Sequence, residues 1–323
     1  MPILSPVVAE NTRVTPLPSI QAPLAEDSLL LDIVSISDRR IAVGSRGHIL
    51  VSENGKSWQQ SRVPVRSMLT AVHFHDSNRG WAVGHDAVIL GTRDGGKTWQ
   101  LLHFAPELEA PFLDVWFSDD KNGIAIGAYG LYFSTNDGGK TWTDTGLVVE
   151  KELQDDAGPE EDSDFAEFYE LHLNSIAESS DGTLYIAAEA GRIYRSDNRG
   201  RTWVELPSPY VGSFFGVLTL RDDSVMVFGL RGHLYRSVDR GRSWQAIETP
   251  VNEMLTNAIQ LADGRVVIIG MGGTVLVSED GKDFTVKETG TRTGYSALVQ
   301  NNGVLTLVGE KGIDSLKMAN AGK

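Results

Sequence analysis

The chain has 323 residues, no cysteine and a formal charge of −14. Without cysteine neither a disulfide framework nor a thiolate metal site can form, and the acidic balance argues against a nucleic-acid backbone as the main partner. The longest apolar run, Val266 to Val277, contains three glycines and is too short to span a bilayer, and Met1–Glu10 does not read as a secretory signal.

In chain order, residues 1–24 come first as a leader. Its stretch Arg13-Val14-Thr15-Pro16-Leu17-Pro18 looks like a later strand segment, Trp203-Val204-Glu205-Leu206-Pro207-Ser208. From residue 30 onward a four-strand unit repeats. Its first strand opens on a large residue with an apolar one three later: Leu30/Ile33, Leu69/Val72, Phe112/Val115, Leu173/Ile176, Phe214/Val217, Leu255/Ala258 and Tyr295/Leu298. The second strand is a small-apolar run closing on Gly or its equivalent, as in IAVG (41–44) and VVIIG (266–270). After a tight turn the third strand follows, as in GHILVS (47–52) and GHLYRS (232–237).

A phrase of Ser/Thr, Asp or Asn, Gly and an aromatic then leads into the fourth strand. It occurs six times, with Asn54, Asp94, Asp137, Asn198, Asp239 and Asp280 as the polar residue. Its aromatics Trp58, Trp99, Trp142, Trp203, Trp244 and Phe284 stand 41, 43, 61, 41 and 40 residues apart. A period near forty marks one β-unit copied along the chain. The first three strands occur seven times and the fourth only six. The expected architecture is therefore one all-β, seven-bladed propeller over 1–323, with residues 13–18 pairing with 312–317 to close the ring and remove an open sheet edge.

The extra length between Trp142 and Trp203 is an acidic insertion, 145–172. Residues 150–170 carry ten Asp or Glu against Lys151 alone, which leaves a charge of about −5 on everything else. The insertion lacks the spacing of an EF-hand loop.

Three motifs are set aside. Gly91–Thr98 matches the phosphate-binding pattern GxxxxGK[ST], but a strand and not a helix is expected after it, and TNDGGKTW (135–142) repeats the phrase. His48 and His233 hold the same repeat position and read as packing elements. His73 and His75, two apart on an inner strand, give only a weak metal hint. No metal, cofactor or catalytic residue is assigned.

The phrase resembles the Asp-box, or BNR, repeat. Its Asp or Asn can bond N–H groups of its own turn while the aromatic packs on the hairpin, so a structural role is expected for all twelve residues. Asp boxes also occur in sialidases and other glycoside hydrolases. A sialidase-like hydrolase would need paired carboxylates across a cleft and an Arg-Ile-Pro motif, and the latter is absent.

The second-to-third turns and the blade-to-blade loops should share one face. Arg46, Arg66, Tyr129, Phe214, Phe215, Arg231, Arg292 and Tyr295 are expected to gather there, beside His85, Asp86, Phe112, Tyr169, His172, Tyr210, Met254 and Lys311. Arginine and aromatic residues round a mouth suit a peptide or a carboxylate-bearing ligand. A carrier of a small apolar ligand and a hydrolase are the rival uses of the same mouth.

The strings RGWAVGHDAVILGTRDGGKTW (79–99) and PFLDVWFSDDKNGIAIGAYG (111–130) are similar to the photosystem II stability/assembly factor-like family. The resemblance, over about residues 25–318, implies a seven-bladed Asp-box propeller, non-enzymatic and without a cofactor. It further implies that a membrane protein or associated polypeptide docks on an arginine-rich face. For the non-photosynthetic bacterial branch it implies a monomeric periplasmic accessory of an RND-type transporter, itself not membrane-spanning. The acidic insertion departs from the photosynthetic pattern.

Overall fold

The computed structural model describes residues 14–150, 171–301 and 303–318. It is a seven-bladed β-propeller in which every blade is an antiparallel sheet of consecutive strands. The innermost strands are Leu30–Ile36, Leu69–Phe74, Phe112–Phe117, Leu173–Glu178, Phe214–Thr219, Leu255–Gln260 and Tyr295–Asn301. Each begins on the large residue the repeat pattern singles out, and that residue is buried in all seven blades. Second strands, such as Val266–Gly270, are buried along their whole length between neighbouring blades. That two-sided burial explains why they read as unbroken apolar runs instead of alternating ones.

One irregularity recurs in every inner strand. The pairing register slips next to the opening residue, for example between Phe214 and Gly216 and between Leu255 and Asn257. The extra residue of such a bulge is re-aimed out of the ladder, and in three blades it reaches the next one. Thr70 Oγ1 donates to the Phe112 carbonyl at 2.7 Å, Asn174 Nδ2 to that of Phe214 at 2.8 Å, and Thr256 Oγ1 to that of Tyr295 at 2.7 Å. Two aspartates staple other junctions. Asp32 accepts from Val72 N and Asp114 from Ile176 N, at 2.8 and 2.9 Å.

Ring closure differs from the expected arrangement. Among the described residues the seventh sheet has three strands, Tyr295–Asn301, Val304–Gly309 and Gly312–Lys317. Val14–Pro18 form no strand, and Arg13 lies outside the described residues. The leader instead flanks the outer side of blade 1: Ser19 N donates to Val63 O, Gln21 to Ser61 O, and Gln60 to Ile20 O. What joins blade 7 to blade 1 is an apolar seam of Ala25, Leu30, Ile33, Ala42, Leu50, Ala297 and Val308, with Ile313 against it. The acidic run 151–170 lies outside the described residues. Before it, Trp203 N donates to Val148 O, and after it Gly130 N donates to Leu171 O.

Candidate functional site

The six Asp boxes are turn-stabilising devices. In four of them the polar residue reaches four positions ahead, with Asp94, Asp137, Asn198 and Asp239 accepting from the N–H of Thr98, Thr141, Thr202 and Ser243 at 2.9–3.0 Å. The shorter boxes of blades 1 and 6 use closer donors: Asn54 accepts from Lys56 N, and Asp280 from Lys282 N. The opening Ser or Thr takes the glycine N–H, as Thr92 Oγ1 does from Gly96. The aromatics Trp99, Trp203 and Phe284 are buried, and Trp58, Trp142 and Trp244 are partly buried against blade cores. Hydrogen bonds led by those from Thr141 and Ser243 pull the Asp137 and Asp239 carboxyls down to about 2. The stretch Gly91–Thr98 is one of these boxes and runs into the strand Gln100–His103, not a helix.

The opposite face is built from turn tips and connections. In five tips the closing glycine sits against the carbonyl of the incoming connection. A Cβ on Gly47, Gly191, Gly232, Gly273 or Gly312 would come within 2.3 Å of Val65, Tyr210, Val251, Thr291 or Glu26 O. This close approach ties five tips to their neighbouring loops, and in blades 2 and 3 Ala87 N and Gly130 N donate to Ala110 O and Leu171 O instead. Arg46 thus adjoins the Arg66 loop and Tyr129 the His172 loop. The residue before that glycine is left-handed: Arg46 (φ 57°), Tyr129 (φ 54°), Ala190 (φ 52°) and Arg231 (φ 55°). Blade 6 has glycine there, Gly272. A large side chain in this conformation costs on the order of 1 kcal/mol and is kept where it serves a purpose.

Arg46, Arg66, Arg231, Arg292, His85 and Lys311 are exposed. Arg66 donates from Nε and Nη2 to the Pro18 carbonyl at 3.3 and 3.2 Å, which holds the leader beside the rim. Tyr129 is 58% exposed, and its ring meets that of His172 edge-on at 5.0 Å. Phe215, the re-aimed bulge residue, is half-buried, as are Tyr210 and Met254. Phe214 and Tyr295 do not belong to this surface. They are 0% and 2% exposed, because each is the opening residue of an inner strand and fills a blade core. Phe112 is buried for the same reason, and Tyr169 lies outside the described residues. Three carboxylates of this side are engaged: Asp86 accepts from Ser67 Oγ, Glu189 sits 3.3 Å from His172 Nδ1, and Glu310 accepts from Gly294 N.

The two histidine readings resolve into packing. His48 is buried and its Nδ1 lies 2.9 Å from Ser28 Oγ, while His233 packs at a tilt against Tyr210 at 4.2 Å. His73 lies along Phe117, and loss of hydration lowers its ring pKa to about 4. No cluster of three or more His, Cys, Asp or Glu suited to a metal occurs among the described residues. The sequence reading passed over Asp32 and Asp114. An acid two places after the opening residue of an inner strand, in Leu30–Asp32 and Phe112–Asp114, was the available signal.

The family described as Photosynthesis system II assembly factor YCF48 matches residues 50–109 and 103–269, more than half the chain. The chain belongs to this family. A chloroplastic photosystem II stability/assembly factor, HCF136 of Cyanidioschyzon merolae, is 44% identical over 48 residues, which are 14% of this chain and 11% of that protein. The photosystem II assembly protein Ycf48 of Thermosynechococcus vestitus is 37% identical over 43 residues, 13% of this chain and 12% of that one. The aligned segments thus span about a tenth of either relative. A solved structure described as YCF48 bound to D1 peptide superposes with a TM-score of 0.70 at 15% identity, covering 94% of this chain and all of that one. YCF48 from Cyanidioschyzon merolae gives 0.69 at 16%, covering 92% and 97%. An ancestral GH74 enzyme gives 0.68 at 12%, covering 95% of this chain and 47% of that one, a likeness of fold alone.

Proposed function

We propose that this family member is a non-catalytic docking propeller. Its arginine rim holds a segment of a membrane protein or of a polypeptide associated with one. What supports this reading is that Arg46 and Arg231 stand on second-to-third turns and Arg66 and Arg292 on blade-to-blade connections, all four exposed, and that the first two are left-handed where glycine would be the relaxed choice. A fixed array of exposed guanidinium groups suits carboxylates and backbone carbonyls of an extended chain. Tyr129 and half-buried Phe215 supply apolar contact beside it. A relative's structure is described as bound to D1 peptide, which supports a polypeptide as the partner class.

The proposed setting is the periplasm, with an RND-type transporter as one candidate host and a monomer as the working unit. The lack of cysteine suits an oxidising compartment. Asp86, Glu189 and Glu310 are tied to neighbours, which disfavours these three as the free pair a hydrolase needs across a cleft.

The test is the double variant Arg46→Glu/Arg231→Glu, used as bait in pull-down from membranes of the native host. Both side chains are exposed, so the thermal melt should match that of the parent while partner recovery is lost. Undiminished recovery would remove the rim from the account.

A further inference from the structure

A second site lies on the Asp-box side of the ring, independent of the rim. Between blades 3 and 4 runs a groove of about 710 Å³, floored by Trp116 and Tyr132, with Ser134 and Thr143 along one wall and Arg199 and Arg201 on the other. No Asp or Glu is among its described lining residues.

The next two junctions show one way this place is filled. Between blades 4 and 5, Arg195 in the third strand donates to the Arg240 carbonyl of the next box at 3.0 Å. The Arg240 side chain, on that box, donates to Asp197 and to Thr183 Oγ1, both at 2.6 Å, and lies 3.6 Å from Asp181. Junction 5/6 repeats the first tie, with Arg236 donating to the Asp280 carbonyl at 3.2 Å. A guanidinium and a carboxylate cluster thus fill the gap.

At junction 3/4 these partners are replaced or turned away. Repeat register puts Ser134 where Arg195 and Arg236 stand, and Asn136 in the place of Asp197. Asn122 occupies the position of Thr183, and its amide is turned to Asp119 at 2.8 Å. Asp120 is taken by Arg79 of blade 2. Arg199, the counterpart of Arg240 and left-handed like it (φ 60° and 64°), is exposed with no hydrogen bond or ion pair to any described residue. Arg201 is exposed too, its Nε donating to Asn198 O.

We infer that this groove binds an Asp or Glu side chain of an acidic polypeptide supplied in trans. The incoming carboxylate takes on Arg199 the place that Asp197 takes on Arg240. The volume that an arginine fills at junctions 4/5 and 5/6 admits the ligand's chain here, and Ser134 and Thr143 line it. Charge complementarity sets the occupant: two arginines stand in a lining without acids, on a protein that is otherwise acidic.

A fluorescent hexaglutamate peptide tests this by anisotropy at low salt. The parent protein should bind it, and Arg199→Gln should weaken binding about tenfold, the usual weight of one charge-assisted contact. Ser134→Arg should abolish binding by refilling the groove, with a thermal melt to verify folding. Arg46→Glu/Arg231→Glu should leave it unchanged. An Arg199→Gln affinity equal to the parent's overturns the assignment, and so does equal loss in the rim variant. Binding that emerges only when the acids of 152–170 are replaced by amides also overturns it, since the occupant would then be the chain's own.

Discussion

Asp32 and Asp114 carry two duties that pull against each other. Each carboxylate accepts two backbone N–H groups, one from its own strand and one from the next blade. Both are half-buried on the inner strands. Desolvation, partly opposed by those hydrogen bonds, raises Asp32 to about 7 and Asp114 to about 6. A carboxyl whose folded pKa exceeds its unfolded value of 3.8 favours the folded state while protonated. That contribution is complete below the unfolded value and is lost as pH rises through the folded one. From these two groups the melting temperature should therefore fall between about pH 4 and about pH 7. Asp32→Asn should flatten part of that fall, with Asp114 supplying the rest. Parallel slopes for parent and variant in melts across this range would show that Asp32 does not titrate there.

Blades owe their legibility to their local signals. The opening residue, the central apolar run and the box stand in fixed order, and all seven inner strands begin where that order places them. Rim arginines could be located in the same way, since a turn tip is set by its flanking strands. Two kinds of error follow from physics the repeat does not contain. Phe214, Tyr295 and Phe112 were read as both core and rim, and the register slip beside each settles them into the core. Arg13–Pro18 resembles Trp203–Ser208 in composition, but a fourth strand here is aimed by the box that precedes it, and the leader has none. Box aromatics differ in weight. Trp203 is 0% exposed and its Nε1 donates to Tyr132 Oη at 3.1 Å, so Trp203→Ala should cost about 3–5 kcal/mol. The partly buried Trp58 should cost less when truncated. Equal losses in denaturant titrations would mean that burial does not rank the boxes.

For the molecule as a whole, the junction of blades 7 and 1 decides whether the ring holds. Among the described residues it has no shared sheet, only the side-chain seam around Leu30, Ala297 and Val308. Val308 is completely buried there. Val308→Ala removes two methyl groups from this seam and should lower stability by about 2 kcal/mol. The change should appear as one cooperative transition shifted to lower denaturant, because the blades stabilise each other in a closed circuit. Two separate transitions would show that the seam yields before the blades do.

Since every sheet is woven from one uninterrupted stretch of chain, a growing polypeptide can finish each sector as it leaves the ribosome. The same locality allows the chain to be cut between any two described sectors without dividing a sheet.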